Sequence, residues 1–203
     1  HGLWRTVTSN LELAQRNQRL VGELTEAMTA IEVMAATDEL TGAATRRAFL
    51  AELDTQLTSA GPFVLALVDV DHFKKVNDAH GHGVGDLVLV DVVRTLRESM
   101  RPEDVIGRVG GEEFGILLRD TQLDTALIVL DRARSAVADC RVVQPNVTIS
   151  IGVAAAEAQG DRTALLAAAD LALYEAKRTG RNRVVPFATP YATTEDSTSP
   201  VTN

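Results

Sequence analysis

Apolar residues recur along this chain in two rhythms, and the change from one to the other divides it. Between about Thr6 and Ala36, Leu13, Leu20, Ala27 and Met34 return every seven residues and alternate with Leu24 and Ile31, the a and d spacing of a parallel coiled coil. Asn17 falls in the same d series, where a polar side chain fixes register at a cost in stability. A single helix folded back on the rest of the chain satisfies the same spacing. After Asp38 the pattern shortens. Phe49, Leu50, Leu53 and Leu57 predict a helix within 43–59, stopped by Gly61-Pro62. The run Phe63 to Val68 predicts a buried strand that surfaces at Asp69-Val70-Asp71. Further helices are expected from near Asp71, over 86–100 with Leu89, Val92, Val93 and Leu96 inward, over 123–139 and over 163–178. Strands are expected over 105–109, 113–118, 147–153 and 183–185. Helices that alternate with strands define an α/β (α+β) class with one mixed central sheet. The expected division is a signalling helix over 1–36, one globular domain over 37–187, and a Thr-, Ser- and Pro-rich disordered tail over 188–203.

Composition narrows the function. At 203 residues and 45% hydrophobic content the chain can bury one full-sized core. A formal charge of -8 disfavours a nucleic-acid groove, which needs clustered Lys and Arg to replace phosphate counterions. An anionic ligand would need local cations or a metal. The single Cys140 has no internal disulfide partner, which fits a reducing cytoplasm. No apolar run approaches the roughly 18 residues that span a bilayer, so no membrane contact is expected from this segment. The first residue is His1 rather than Met, which suggests a parent chain carrying a sensor or membrane anchor elsewhere.

The richest stretch is Arg108-Val109-Gly110-Gly111-Glu112-Glu113-Phe114, two adjacent carboxylates behind two glycines and between apolar runs. A tight turn there brings backbone close to a ligand while presenting acids to a cation. With Asp69 at the end of another strand, it suggests one shared site for Mg²⁺ or Mn²⁺, ions that take oxygen ligands. Magnesium keeps waters and binds one or two carboxylates plus phosphates, so a nucleoside triphosphate is its natural companion. Asp71 has two readings, as a member of this acidic cluster or as the cap of the next helix. Asp71-His72-Phe73-Lys74-Lys75 would set backbone N–H groups at a helix start with lysines one turn in, an arrangement suited to phosphate oxygens. The loop expected over 77–86 offers Asn77 and Asp86 to a purine, whose ring N–H and exocyclic amine a carboxylate accepts only when the base is guanine. His80 and His82 lack the Cys or third His of a zinc set, which favours roles in that loop.

In these blocks the chain resembles the GGDEF-domain diguanylate cyclases, which condense two GTP molecules into cyclic di-GMP. The resemblance runs from Asp38 to about Val185: Asp38-Glu39-Leu40-Thr41-Gly42, Asp69-Val70-Asp71-His72-Phe73-Lys74, Asn77-Asp78, Gly85-Asp86, Gly110-Gly111-Glu112-Glu113-Phe114, Ser150-Ile151-Gly152-Val153, Ala169-Asp170, Ala176-Lys177 and Gly180-Arg181-Asn182. It implies a palm-like sheet. It implies that Asp69, the carbonyl of Val70, Glu112 and Glu113 hold metal, and that Glu112 activates a 3′-hydroxyl. His72, Phe73, Lys74, Lys177 and Arg181 would hold phosphates, with Lys74 and Glu113 counted among the catalytic groups, and Asn77 and Asp86 would read guanine. Lys177 and Arg181 also suit a helix C-terminus without any ligand. The family binds one GTP per domain, so the resemblance implies an antiparallel homodimer, which the heptads of 1–36 would promote.

Arg101-Pro102-Glu103-Asp104 stands at the family's offset for a product-inhibition site, with Arg132 as a supplementary cation. An isolated Arg-x-x-Asp is otherwise a surface ion pair. The chain departs from the family at Ala43-Ala44-Thr45, where Thr45 can still cap a helix. Two alternatives stand beside the cyclase. One is an inactive receptor for cyclic di-GMP or GTP; the other is an enzyme making cyclic GMP-AMP, whose relatives replace the acid found here as Asp86.

Overall fold

The computed structural model describes residues 16, 18–21, 36–59, 61–140, 145–156 and 161–187. Most of the heptad segment and the whole of 188–203 therefore lie outside the described residues. Strands β1 (Ala44–Thr45), β2 (Val64–Val70), β3 (Val105–Arg108), β4 (Glu113–Leu118), β5 (Ile149–Ala155) and β6 (Val184–Pro186) form one mixed sheet in the order β1-β3-β4-β2-β5-β6. Helices α1 (Arg46–Thr58), α2 (Phe73–His80), α3 (His82–Ser99), α4 (Leu123–Asp139) and α5 (Arg162–Arg178) surround it. No described helix is long and apolar enough to cross a membrane.

Strand β2 is central, paired antiparallel with both β4 and β5. Its two faces meet different cores, as the period of two requires. Val64, Ala66, Val68 and Val70 join a cluster with Val88, Leu89, Val92, Leu96 and Leu130 of α3 and α4. Leu65 joins the opposite cluster with Phe49 and Leu53 of α1 and Leu165 and Ala169 of α5, and Leu67 packs against it. A strand covered on both faces reads as an unbroken apolar run, which is how 63–68 appears in the sequence.

The helix ends follow local chemistry. Thr45 caps α1 by accepting from the Ala48 amide at 3.4 Å. Asp161 caps α5 by accepting from the amides of Thr163 and Ala164 at 3.2 and 3.3 Å. Two expectations are corrected. The glycine-rich stretch 77–86 is helical on both sides of Gly81, whose φ of 81° supplies the break, so α3 begins at His82 rather than Asp86. Gly85 explains why: it is buried in α3 and the Asn77 side chain of α2 lies where a Cβ would be, so the glycines let two helices close on each other. β1, only two residues long, escaped notice because so short a strand carries no period.

Helix α5 lies directly on β5. A Cβ at Gly152 would overlap backbone atoms of Ala169 and Leu173, and backbone cannot move aside like a side chain. Gly152→Ala is expected to cost about 3 kcal/mol, measured as a lower midpoint in urea unfolding.

Candidate active site

The alternation of β2 determines which face carries its acid. Asp69 follows Leu65 and Leu67 at intervals of two, on the side covered by α5, and Lys177 lies in the last turn of that helix. Lys177 Nζ stands 2.7 Å from Asp69 Oδ2. Asp69 is only 8% exposed. Burial drives its carboxyl above the ordinary range; Lys177 opposes that shift, Asp71 adds to it and Arg181 opposes it.

The β3–β4 hairpin brings the second acid. The amides of Val109 and Gly110 both donate to the carbonyl of Glu113, at 2.9 and 3.2 Å, closing the turn around the glycine pair. The Val70 amide donates to the Glu112 carbonyl at 3.3 Å, and Asp69 lies opposite Glu113 in the register. The turn is thereby docked on the end of β2. Glu112 is half-buried, and its carboxyl is raised by burial first, then by the charges of Asp69 and Glu113, against a lowering effect of Lys177. Glu113 is exposed and its carboxylate folds over Gly110.

The donor set fits a hard divalent cation: buried carboxylate oxygens that resist ionisation and repel each other are relieved by a positive ion. Among the described residues no three His, Cys, Asp or Glu side chains converge as a metal group. Asp69 and Glu112 thus suit an ion that completes its shell with backbone, water and phosphate oxygens, as Mg²⁺ does.

Asp71 does not cap α2, and its carboxylate is bonded to other partners although its charge acts on Asp69. It is 4% exposed, and its carboxylate accepts from the hydroxyls of Thr148 and Ser150 at 2.6 and 2.7 Å and from the Asn182 amide at 3.0 Å. The N-cap of α2 is His72, in the left-handed region at φ 59° with no side-chain cap bond. Its carbonyl accepts from Lys75 and Val76, so Phe73 and Lys74 occupy the first turn, where helix amides have no intrahelical partner. Phe73 is buried, and His72 and Lys74 are exposed.

Beyond that turn, Asn77 is half-buried, and its Oδ1 is buried with no hydrogen-bond partner in the structure. Such an orphan acceptor costs free energy unless something supplies a donor. The contact with Gly85 puts Asn77 beside the turn that carries the exposed Asp86. His80 ends α2 and His82 begins α3, both exposed.

A separate open cleft of about 400 Å³ is lined by Arg97, Met100, Arg101, Pro102, Asp104, Val105 and Ile106. Arg101 and Asp104 form a closed turn. The Arg101 amide donates to Asp104 Oδ2 at 2.9 Å and the Asp104 amide to the Arg101 carbonyl at 3.1 Å. The Arg101 side chain is exposed. Arg132 of α4 donates to the Ser99 carbonyl at 2.8 Å, two residues from Arg101.

Sequence reasoning gave Arg108 and Asp38 no role. Arg108 donates from Nε and Nη2 to the Gly111 carbonyl at 3.1 and 2.8 Å, and from Nη1 to both oxygens of Asp38 at 3.2 and 3.3 Å. Burial acts to raise the Asp38 carboxyl, but donation from the Thr41 hydroxyl and amide and the charge of Arg108 outweigh it and leave it lowered. Arg97 donates to the Gly42 carbonyl at 2.8 Å. The signal available in the sequence is an Arg two residues before the glycine pair.

A mixed sheet with helices on both faces, two acids at the ends of neighbouring strands and a lysine against one of them defines a palm-like α/β domain. The chain belongs to the family described as diguanylate cyclase, GGDEF domain, whose model matches residues 35–183. It is 43% identical over 157 residues to the probable diguanylate cyclase DgcT of Escherichia coli (strain K12), an alignment covering 73% of this chain and 35% of that protein. It is 41% identical over 163 residues to the response regulator PleD of Caulobacter vibrioides, covering 75% and 36% respectively. The chain thus spans about a third of the length of these relatives. Among solved structures, the coiled coil and GGDEF domain of DgcB from Caulobacter crescentus, in complex with c-di-GMP, superposes with a TM-score of 0.78 at 31% identity, covering 87% of this chain and 98% of that one.

A raised Glu112 carboxyl means that the folded state binds the proton more tightly than the unfolded one. Stability therefore falls as pH rises through the interval between the two values, and the ionised group is a net cost at neutral pH. Glu112→Gln is expected to raise the melting midpoint of the metal-free protein at pH 7. The gain should disappear below about pH 4, where the wild-type acid is neutral. Mg²⁺ should raise the wild-type midpoint more than that of the variant, as scanning calorimetry would record.

Proposed function

We propose that this chain is the catalytic domain of a diguanylate cyclase, which joins two GTP into cyclic di-GMP and releases two pyrophosphates. The observation that carries the reading is the meeting of Asp69, Glu112 and Lys177 at the ends of β2, the β3–β4 hairpin and α5. Asp69, the Val70 carbonyl and Glu112 would hold Mg²⁺ or Mn²⁺, with Glu113 as a further ligand when two ions bind. A divalent cation there supplies positive charge to the attacking and departing oxygens of an in-line displacement.

The side chains do the rest. Glu112, beside the metal site, would take the proton of a 3′-hydroxyl. The 3′-oxygen bonds to the α-phosphorus of the other GTP, the α–β bridging P–O bond breaks, and pyrophosphate leaves with its electron pair. The reciprocal step closes the ring. Lys177 moves from Asp69 to the phosphates when nucleotide binds, joined by Lys74, Arg181 and the amides of His72 and Phe73. Asn77, whose Oδ1 lacks a partner, accepts from guanine together with Asp86.

Each domain offers one such site, so two chains must face each other antiparallel, and the heptads of 1–36 raise the effective concentration of the second domain. The reading places the domain in the cytoplasm. The cleft beside Arg101 and Asp104, with Arg132 nearby, has the size and cationic rim for cyclic di-GMP as a feedback inhibitor. The DgcB structure, solved with c-di-GMP, supports a dinucleotide ligand on this fold.

Incubation with GTP and Mg²⁺, followed by chromatography of the nucleotides, tests the activity. Cyclic di-GMP should form, with specific activity rising with protein concentration, and Asp69→Asn should lower turnover about a thousandfold. Tight nucleotide binding without product would make the domain a receptor instead. Arg101→Ala should keep wild-type turnover and lose inhibition by added cyclic di-GMP; inhibition at wild-type potency would remove the cleft from the account.

A further inference from the structure

The segment after α5 has an unusual backbone. Gly180, Arg181 and Asn182 stand in succession at φ of 125°, 61° and 45°. Glycine accepts such angles freely, but two consecutive residues with a Cβ do not, and they persist only where the surroundings hold them. The holds can be named. The Arg181 amide donates to the Ala176 carbonyl at 2.9 Å, Arg134 of α4 donates to Asn182 Oδ1 at 2.8 Å, and the Ile151 amide of β5 donates to the Arg183 carbonyl at 2.9 Å. Arg183 Nε donates to the Arg181 carbonyl at 3.1 Å, and the buried carboxylate of Asp71 accepts the Asn182 amide at 3.0 Å.

Asp71 is unusually well prepared for that bond. Thr148 shares Oδ2 with the Asn182 amide, Ser150 occupies Oδ1, and the Asp71 amide donates to the Thr148 carbonyl at 2.8 Å. These three donors come from the end of β5 and from the loop that carries Arg181, while Asp71 itself follows Asp69 and Val70 on β2. The carboxylate therefore ties the strand end bearing Asp69 to the loop bearing Arg181.

We infer that Asp71 is a positioning residue: through the Asn182 amide it holds Arg181 in its left-handed conformation, so that the guanidinium faces the triphosphate held above Asp69. The inference rests on the nucleotide site proposed above. Its chemistry is that of a charged acceptor with three donors on its two oxygens. An amide in its place can turn its NH₂ to the Ser150 hydroxyl, which accepts, and keep its oxygen toward Thr148 and the Asn182 N–H, but that oxygen is neutral and loses the charge that strengthens both bonds.

The test is a double-mutant cycle on nucleotide affinity. The probe is 3′-deoxy-GTP with Mg²⁺; lacking the attacking hydroxyl, it binds without turnover, and calorimetry measures its affinity. Asp71→Asn and Arg181→Ala are each expected to weaken binding about tenfold, and Asp71→Asn should add less than about twofold in the Arg181→Ala background. Amide hydrogen exchange at Asn182 should be faster in Asp71→Asn than in the wild type. Thr148→Val, which removes one donor and keeps the carboxylate, should give a smaller loss that is also absent from the Arg181→Ala background, and it decides the matter if Asp71→Asn does not fold. Wild-type affinity in both Asp71→Asn and Thr148→Val, or losses that multiply fully with that of Arg181→Ala, overturn the role of Asp71 alone. No binding of 3′-deoxy-GTP by the wild-type protein overturns the nucleotide site, and this role with it.

Discussion

Two carboxylates that repel each other are held together at the edge of a buried sheet, and much of the surrounding structure bears on that conflict. Asp69 is buried by the face of β2 that carries Leu65 and Leu67, so it cannot turn to water without disturbing the core beneath α5. Glu112 is brought beside it by the Val70 amide and the closed glycine turn. Lys177 neutralises part of the charge, yet both acids remain raised. A site in that condition is poised for cations. Strain of this kind belongs to function: an apolar pair at these positions would be more stable and chemically inert.

The glycines serve the same end by permitting contact. Gly107 and Gly115 face each other across β3 and β4, and Phe49 of α1 occupies the space that their Cβ atoms would fill. Gly152 does the same for α5 on β5. Helix α5 can therefore lie close enough to the sheet for Lys177, in its final turn, to reach Asp69. Core packing on one face thus sets a 2.7 Å ion pair at the strand ends.

Much of this was readable in the chain. The apolar runs before Asp69 and after Glu113 located the central strands, and the acids at two strand ends pointed to a shared site. Helix α4 was read with the bounds it has, because its apolar stripe begins and ends at polar residues. What escaped was contact between distant segments. Asp71 admits two readings in the sequence, helix cap or member of the acidic cluster; only the fold brings Thr148, Ser150 and Asn182 around it. The glycine-rich stretch 77–86 looked like a loop because glycine usually breaks helices, whereas here Gly85 is needed inside one for Asn77 to fit. Arg108 gave no sign of its partner seventy residues earlier in the chain.

That last contact joins parts of the protein that the sequence separates. The turn from Asp38 to Ala43 is closed by its own bonds, from the Asp38 amide to the Ala43 carbonyl at 2.7 Å and from the Gly42 amide to the Asp38 carbonyl at 2.8 Å. Arg97, which lines the cleft near Arg101, binds its far end at Gly42, and Arg108 binds its near end at Asp38 while gripping the Gly111 carbonyl next to Glu112. The backbone that follows the heptad segment is thereby bonded toward the cleft on one side and toward the turn that carries Glu112 on the other. Planar guanidinium groups suit this duty, since each fixes direction as well as distance. A lysine at 108 could match the charge of Asp38 but not hold a carboxylate and a carbonyl at once in one plane, so the geometry at Glu112 depends on arginine rather than on positive charge alone.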